Sequence, residues 1–328
     1  MASKRRGRGF GCIGLVVVLL LAAAGFWLLH DWGGKGPLAK NTTVSIAPGT
    51  SMARAAEQLE QAGAIPSASR FTFLAKIFGG GGGIKAGEYR LPAHLSQSDI
   101  LKVLQGGKTL QRFITIPEGW PSIMAQERLM KMPELTGKIE IPGEGSLLPD
   151  SYSYERGDSR QAIIDRMQRA MALYLEQAWA KRSPNTVAKT PREALILASI
   201  VEKETGKPEE RPMVAAVYSN RLRQNMPLQA DPTVIYPVTK GKPLGRRILK
   251  SELEANNGYN TYAMTGLPKG PIANPGRASI DAVLNPAQSN ALYFVADGTG
   301  GHVFADTLEQ HNANVQKWYA IRRARGEM

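Results

Sequence analysis

The chain has 328 residues, 43% of them hydrophobic, and a formal net charge of +13 at pH 7. That apolar content supports a sizeable core and excludes wholesale disorder. The single cysteine, Cys12, excludes an internal disulfide and a cysteine zinc cluster.

The amino terminus, MASKRRGRG, places Lys4, Arg5, Arg6 and Arg8 ahead of an uncharged run from Phe10 to Leu29. A run of that length can cross a hydrocarbon layer of ~30 Å as a helix. Basic residues before it favour a cytoplasmic amino terminus. The expectation is a cytoplasmic tail (1–9), a single transmembrane anchor (10–29) in the cytoplasmic membrane, and the remainder on the extracytoplasmic side. A removable signal peptide is the rival, because Ala22 and Ala24 offer a small-residue cleavage pattern. The apolar run is long for a signal core, which favours the anchor. Cys12 precedes the apolar core, where a lipoprotein signal would place it after. A basic exported chain suits an anionic partner such as lipid headgroups or a wall polymer, and export argues against nucleic acid.

HDWGGKGPLAKN (30–41) reads as a linker. The segment 42–108 reads as a small module. TTVSIAP is a predicted strand, and TSMARAAEQLEQAGAI a helix capped near Thr50 or Ser51 and stopped at Gly63. SASRFTFLAKIFG follows as a second helix, and GGGGG (79–83) as a flexible or tight loop. KAGEYRL is a strand, SQSDILKVLQGG a helix and TLQRFITIPEG another strand. This β-α-α-β order resembles a LysM-like wall-polymer module. The other reading is a plain α+β spacer.

A larger mixed α/β region occupies 109–328, so the fold class is α+β. DSRQAIIDRMQRAMALYLEQAWAKR reads as a long amphipathic helix, with Ile163, Met167, Ala170, Met171 and Tyr174 forming a core stripe. KTPREALILASIVEKETGKP is fully punctuated. Thr190 fits the N-cap, Pro191 the first helical position and Glu193 a capping box, with Gly206 as a left-handed C-cap. Between Ala194 and Val201 only Ser199 is polar, so this helix is buried on most sides. Glu202 and Glu204 then diverge at ~100° per residue. Glu204 lies over Ile200 and Val201, whereas Glu202 lies over Ala198 and Ser199. Apolar burial and the negative helix end both raise a carboxyl pKa. Glu204 is therefore the candidate general acid, and Glu202 a support or a solvated bystander. The bland alternative is that both are exposed and paired with Lys203 or Lys207.

Downstream, NMPLQADPTVIYPV presents Gln229, Asp231, Thr233 and Tyr236, and NNGYNTYAMTGLPKGPIANPG presents Tyr259, Asn260, Thr261, Tyr262 and Asn274. Tyrosine faces, amides and hydroxyls suit a sugar polymer; internally packed tyrosines in a Pro/Gly-rich loop are the alternative. Neither a G-x-S-x-G elbow, a P-loop nor H-E-x-x-H occurs. His302 and His311 are too far apart for a one-turn metal pair and read as structural or surface residues. DGTGGH reads as a turn before VFAD.

ASIVEKET, ERPMVAAVYSNRL, MPLQADPTVIY, YNTYAMTGLPKGPIANPG and YFVADGTGGHVFADTLEQHNANV together resemble the YceG-like family of membrane-anchored endolytic murein transglycosylases. The resemblance runs from about Glu118 to Trp318 and includes the anchor. It implies cleavage of peptidoglycan between N-acetylmuramic acid and N-acetylglucosamine, leaving a 1,6-anhydro end, with Glu204 as the catalytic acid and no cofactor or metal. It implies glycan strands as substrate and a role beside peptidoglycan synthases, trimming nascent strands. Gln229, Asp231, Thr233, Tyr236, Tyr259, Asn260 and Asn274 are the substrate-binding candidates. EGSLLPDSY (144–152) departs from the family pattern at Leu148 and Ser151, which puts substrate contacts there in doubt. The competing class is a non-catalytic, membrane-anchored peptidoglycan-binding scaffold; the nearer rival is a hydrolase of lysozyme type.

Overall fold

The computed structural model describes residues 8–327; residues 1–7 of the expected cytoplasmic tail (1–9) lie outside the described residues. These residues fall into two compact units that meet in sequence between Arg112 and Phe113.

The first unit opens with helix α1 (Arg8–Gly33), whose stretch Gly14–Gly33 is long and apolar enough to cross a membrane. The helix continues four residues into the expected linker, because Trp32 is buried in the unit's core and the Asp31 carbonyl accepts from Gln97 Nε2. The rest of that stretch is packed as well. Leu38 is buried, and the Gly36 amide donates to the His94 carbonyl, so close that a Cβ at position 36 would meet the Leu95 carbonyl oxygen.

The order that follows is β1 (Thr42–Ile46), α2 (Met52–Gln61), α3 (Ala68–Phe78), β2 (Gly87–Leu91) and α4 (Gln97–Gly106). β1 and β2 pair antiparallel, from Thr42 opposite Leu91 to Ile46 opposite Gly87. Ser51, Ser67 and Ser96 each cap a helix through the side-chain oxygen, as their position before each apolar run requires. Val44, Leu59, Phe71, Leu74, Tyr89 and Ile100 fill the core between strands and helices. Gly80 and Gly81 take positive φ, which makes the five-glycine run a tight connection.

The second unit begins within β3 (Arg112–Thr115), which pairs with β4 (Ser151–Tyr154); α5 (Ser122–Met130) lies between them in sequence. α6 (Arg160–Ala180) buries Ile163, Ile164, Met167 and Met171, the expected stripe. Then come α7 (Pro191–Glu204), a 3₁₀ turn (Pro208–Glu210), α8 (Arg211–Arg223), α9 (Asp231–Thr239), α10 (Lys250–Glu254) and α11 (Arg277–Leu284). A hairpin of β5 (Tyr293–Ala296) and β6 (His302–Ala305), joined by DGTGG, precedes α12 (Leu308–Ala324).

α7 is the centre of this unit, contacted by α6, α8, α9 and α11. Thr190 caps it, accepting from the Glu193 amide at 3.1 Å. The Glu193 carboxylate reaches back one residue further than expected, to the Lys189 amide at 2.7 Å. Ser199, the lone polar residue inside, donates to the Ile196 carbonyl and accepts from the Ile272 amide, so its burial leaves nothing unpaired. The far end differs from expectation. The helix stops at Glu204, Thr205 is extended, and Gly206 does not enter the left-handed region. The Thr205 hydroxyl donates to Glu210 at 2.9 Å and accepts from the Lys207 amide, turning the chain without a glycine cap.

Glu202 is not a solvated bystander. Its side chain is 5% exposed and pairs with Arg211 at 3.3 Å. It also accepts from the Gly276 amide at 2.9 Å and from Ser279 Oγ at 2.7 Å, which ties α7 to α8 and α11. Removing one partner of a buried pair costs about 3–5 kcal/mol where the other charge is stranded, and Arg211 would keep only the exposed Glu118, also at 3.3 Å. Glu202→Ala is therefore expected to lower the denaturant midpoint strongly. Activity per folded molecule should stay near wild type, as checked by denaturant titration beside an assay normalised to folded protein.

Candidate active site

Glu204 ends α7, and its carboxyl enters a cleft of about 330 Å³ lined with Tyr218, Arg221, Leu228, Gln229, Asp231, Tyr262, Phe294 and His311. The residue is half-buried as a whole, but its Oε1 is sealed from solvent and has no hydrogen-bond partner. Burial pushes its pKa up to about 7; the negative charge of Asp231 adds to the rise. A hydrogen bond from the Tyr218 hydroxyl and the charge of Arg221 oppose it. Desolvation wins, so Glu204 is largely protonated just below neutral pH.

The surroundings come from α8, α9 and the hairpin. Tyr218 and Arg221 are three residues apart on α8 and share a face. Tyr218 is buried, which holds its phenol well above the ordinary range, so it serves as a neutral donor. Arg221 is anchored by its Nε to the Leu292 carbonyl at 2.7 Å and by Nη1 to the Leu228 carbonyl at 2.9 Å, with Gln229 Oε1 at 3.3 Å. Its guanidinium lies 5.3 Å from the centre of the Tyr293 ring, which stacks on His311 at 5.2 Å. Burial, with the nearby Arg221 charge, lowers the His311 pKa and keeps the imidazole neutral; Nδ1 is sealed and unpartnered.

Of the residues expected from sequence, the structure brings Gln229 and Asp231 to Glu204. Gln229 is exposed and sits at φ 54°, a turn that ends with α9 starting at Asp231. Asp231 accepts from the Tyr262 hydroxyl at 2.7 Å.

Five other candidates do not line the Glu204 cleft. Thr233 is fully buried; its hydroxyl donates to the Ala230 carbonyl and lies 2.8 Å from Thr261 Oγ1. Asn260 is buried, with its amide donating to the carbonyls of Glu252, Leu253 and Ala255 and its Oδ1 accepting from the Tyr262 amide. Asn274 is buried and joins the Trp120 carbonyl, Ser122, Glu144 and the Leu147 amide. All three have their polar atoms occupied and hold loops together. Tyr236 and Tyr259 pack on each other at 4.8 Å, outside the lining of the Glu204 cleft, and Tyr236 is hydrogen-bonded to Glu144. Burial raises the Glu144 pKa, against the bonds from Ser122. Leu148 is a core residue, so the departure there touches packing only.

Tyr218, Arg221 and His311 were not among the sequence candidates. Tyr218 and Arg221 share the signal of two large polar groups three apart in a buried helix. His311, expected to be structural or superficial, lines the cleft instead. Three larger hollows in this unit, of about 400, 390 and 490 Å³, have a single acidic lining residue between them, Glu127, and it is paired with Lys242.

A carboxyl with a raised pKa in a polar, aromatic-edged cleft defines a class of acid-dependent sites suited to an acetal or ester bond. The YceG-like family model matches residues 44–317. An endolytic murein transglycosylase of Bacillus subtilis is 31% identical over 312 residues, covering 85% of each chain. One from Streptococcus pneumoniae (strain D39) is 31% identical, covering 92% of this chain but 63% of its own. The crystal structure of a YceG-like protein from Listeria monocytogenes superposes with a TM-score of 0.53 at 31% identity, covering 84% of this chain and 98% of that one. The chain belongs to the YceG-like family.

The electrostatics predict opposite shifts. Asp231→Asn removes a negative neighbour and is expected to move the Glu204 titration to lower pH. Tyr218→Phe removes a bond to the carboxylate and is expected to move it to higher pH. Carboxyl titration by NMR in the free protein checks both; shifts of the same sign would refute the assignment of causes.

Proposed function

We propose that this protein is a peptidoglycan lytic transglycosylase that cuts within glycan strands, held at the cytoplasmic membrane by α1 with its catalytic part on the extracytoplasmic side. The observation that carries this reading is the Glu204 carboxyl in the cleft, its Oε1 sealed from solvent and its pKa pushed up to about 7. The relatives named endolytic murein transglycosylase support it.

Glu204, protonated, donates its proton to the glycosidic oxygen linking N-acetylmuramic acid to N-acetylglucosamine, and the C1–O bond breaks. Positive charge develops on the muramoyl ring, near Asp231. The Glu204 carboxylate then takes the proton of the muramoyl C6 hydroxyl, whose oxygen bonds to C1 and closes the 1,6-anhydro ring. The acid is regenerated and no water is consumed. One carboxyl suffices because the nucleophile belongs to the substrate and has a high effective molarity. Paired-carboxylate glycosidases need a second acidic group for a water or a covalent intermediate. Gln229, Tyr262 and His311, through the ring nitrogen other than its sealed Nδ1, are the groups lining the cleft for glycan hydroxyls and acetamides.

The β-α-α-β module supports a LysM-like reading, with domains at 42–108 and 109–328. On this reading it holds wall polymer while the second unit cuts, trimming nascent strands beside the synthases.

Purified sacculi test the chemistry. Wild type is expected to release anhydro-muropeptides, lighter by one water than lysozyme products, and Glu204→Gln to release none. Products of the heavier mass would indicate a hydrolase. The rate, as kcat/KM, is expected to fall as pH rises through about 7, since the working form is the protonated one. Stability follows the same sign. A carboxyl with a raised folded pKa contributes fully below its ordinary range, and that contribution is lost as pH rises through about 7. Glu204→Gln is therefore expected to gain thermal stability over wild type at alkaline pH and not at pH 4.

His311→Ala is expected to raise KM by roughly tenfold, as one lost hydrogen bond predicts, with His311→Gln recovering part of it. Steady-state kinetics on a defined glycan oligomer would reveal an unchanged KM if the imidazole only packs against Tyr293.

A further inference from the structure

Helix α3 is amphipathic in an unusual way. Phe71, Leu74 and Ala75 enter the core of the first unit, yet the opposite side carries Phe73 and Ile77, 56% and 54% exposed. Phe78, at the end of the helix, is also exposed. The only charged residues of this helix are Arg70 and Lys76, both basic. Arg70, Phe73 and Ile77 are spaced i, i+3, i+7 and share one face.

That face adjoins the end of α1. The Arg70 guanidinium lies 5.5 Å from the centre of the Trp27 ring and 3.8 Å from the Asp31 carboxylate. The Trp32 ring packs 5.8 Å from Phe71 and 6.2 Å from Phe78. Trp27 and Trp32 both belong to the apolar stretch that ends at Gly33. At 1.5 Å per residue, Trp27 sits about 9 Å before that end. If α1 crosses a bilayer, α3 is held at the depth where tryptophans and basic side chains collect at membrane interfaces.

We propose that α3 is a membrane-surface helix, with Phe73 and Ile77 inserted among the lipids beside α1 and Arg70 and Lys76 set against anionic headgroups. The proposal rests on the anchor reading of α1. Lipid is the occupant because the apolar face adjoins the apolar helix α1 and α3 itself carries only basic charge, Lys76 and an Arg70 paired with Asp31 of α1, which suits an anionic surface. Large exposed apolar side chains in a row are otherwise a liability in water.

The test uses the full chain in a Cys12→Ser background, with single cysteines at Leu20, Glu57, Phe73 or Ile77 carrying an environment-sensitive fluorophore. The protein is placed in phosphatidylcholine–phosphatidylglycerol vesicles containing nitroxide-labelled lipid. Labels at 20, 73 and 77 are expected to shift to the blue and lose most of their intensity, while the label at 57, exposed on α2, stays bright. Quenching at 20 without quenching at 73 and 77 overturns the proposal and leaves the anchor standing. Bright emission at 20 removes the anchor and the proposal together. A blue shift at 73 and 77 that persists in detergent and disappears on dilution of the protein would identify a second copy as the occupant, and also overturns it.

Discussion

Keeping water away from one carboxyl is the constraint on which the second unit depends. A glutamate reaches a pKa of about 7 only where the charged form is poorly solvated, and Glu204 meets that condition because α7 is buried on nearly every side. The helix must therefore have neighbours all round, which α6, α8, α9 and α11 supply. Each of them is placed by the need to cover α7, and α8 and α9 then carry the polar groups of the cleft. Core and site are the same construction seen from two ends.

Two carboxylates leave the end of α7, and the fold treats them in opposite ways. Glu202 pairs with Arg211 and accepts from a backbone amide and a hydroxyl. Glu204 has an arginine nearby, but Arg221 is tethered to the Leu292 and Leu228 carbonyls and stacked on Tyr293, so its guanidinium is directed to the frame of the cleft. The hydrogen-bond donor to Glu204 is the neutral phenol of Tyr218. Charge compensation makes a structural residue, and its absence makes an acid. Substituting one glutamate for the other in an argument about function would therefore be an error, although they stand one residue apart.

Local patterns in the sequence carried much of this. Serine and threonine caps, the apolar run 194–201 and the 3.6-residue period of α6 read directly as helices, because they are set by contacts within a few residues. The ranking of Glu204 over Glu202 followed from the same period. What local pattern could not carry was the fate of polar side chains that meet partners far away in the chain. Asn274 looks like a sugar-binding amide until Trp120, Ser122, Glu144 and Leu147 surround it. Thr233 and Asn260 are similar cases. His311 shows the converse: it lies 107 positions beyond Glu204, and nothing near it in sequence signals that it returns to the cleft. The C-terminus of α7 does not take the glycine cap that Gly206 suggests, because Thr205 and Glu210 close it through side chains.

The remaining acid of the cleft, Asp231, shows why a single proton donor is enough. It occupies the first position of α9, where unpaired amides and the positive end of the helix dipole favour a negative charge, and Tyr262 donates to it. Glu204 occupies the last position of α7, where the dipole favours the neutral form. Opposite helix ends thus place the two carboxyls of one cleft in opposite dipole environments. The Asp231 carboxylate stands where it can offset positive charge on a sugar ring, and its charge adds to the rise that burial gives the Glu204 pKa. Its engagement with Tyr262 makes it a poorer nucleophile, which leaves the anomeric carbon to the hydroxyl already attached to the substrate.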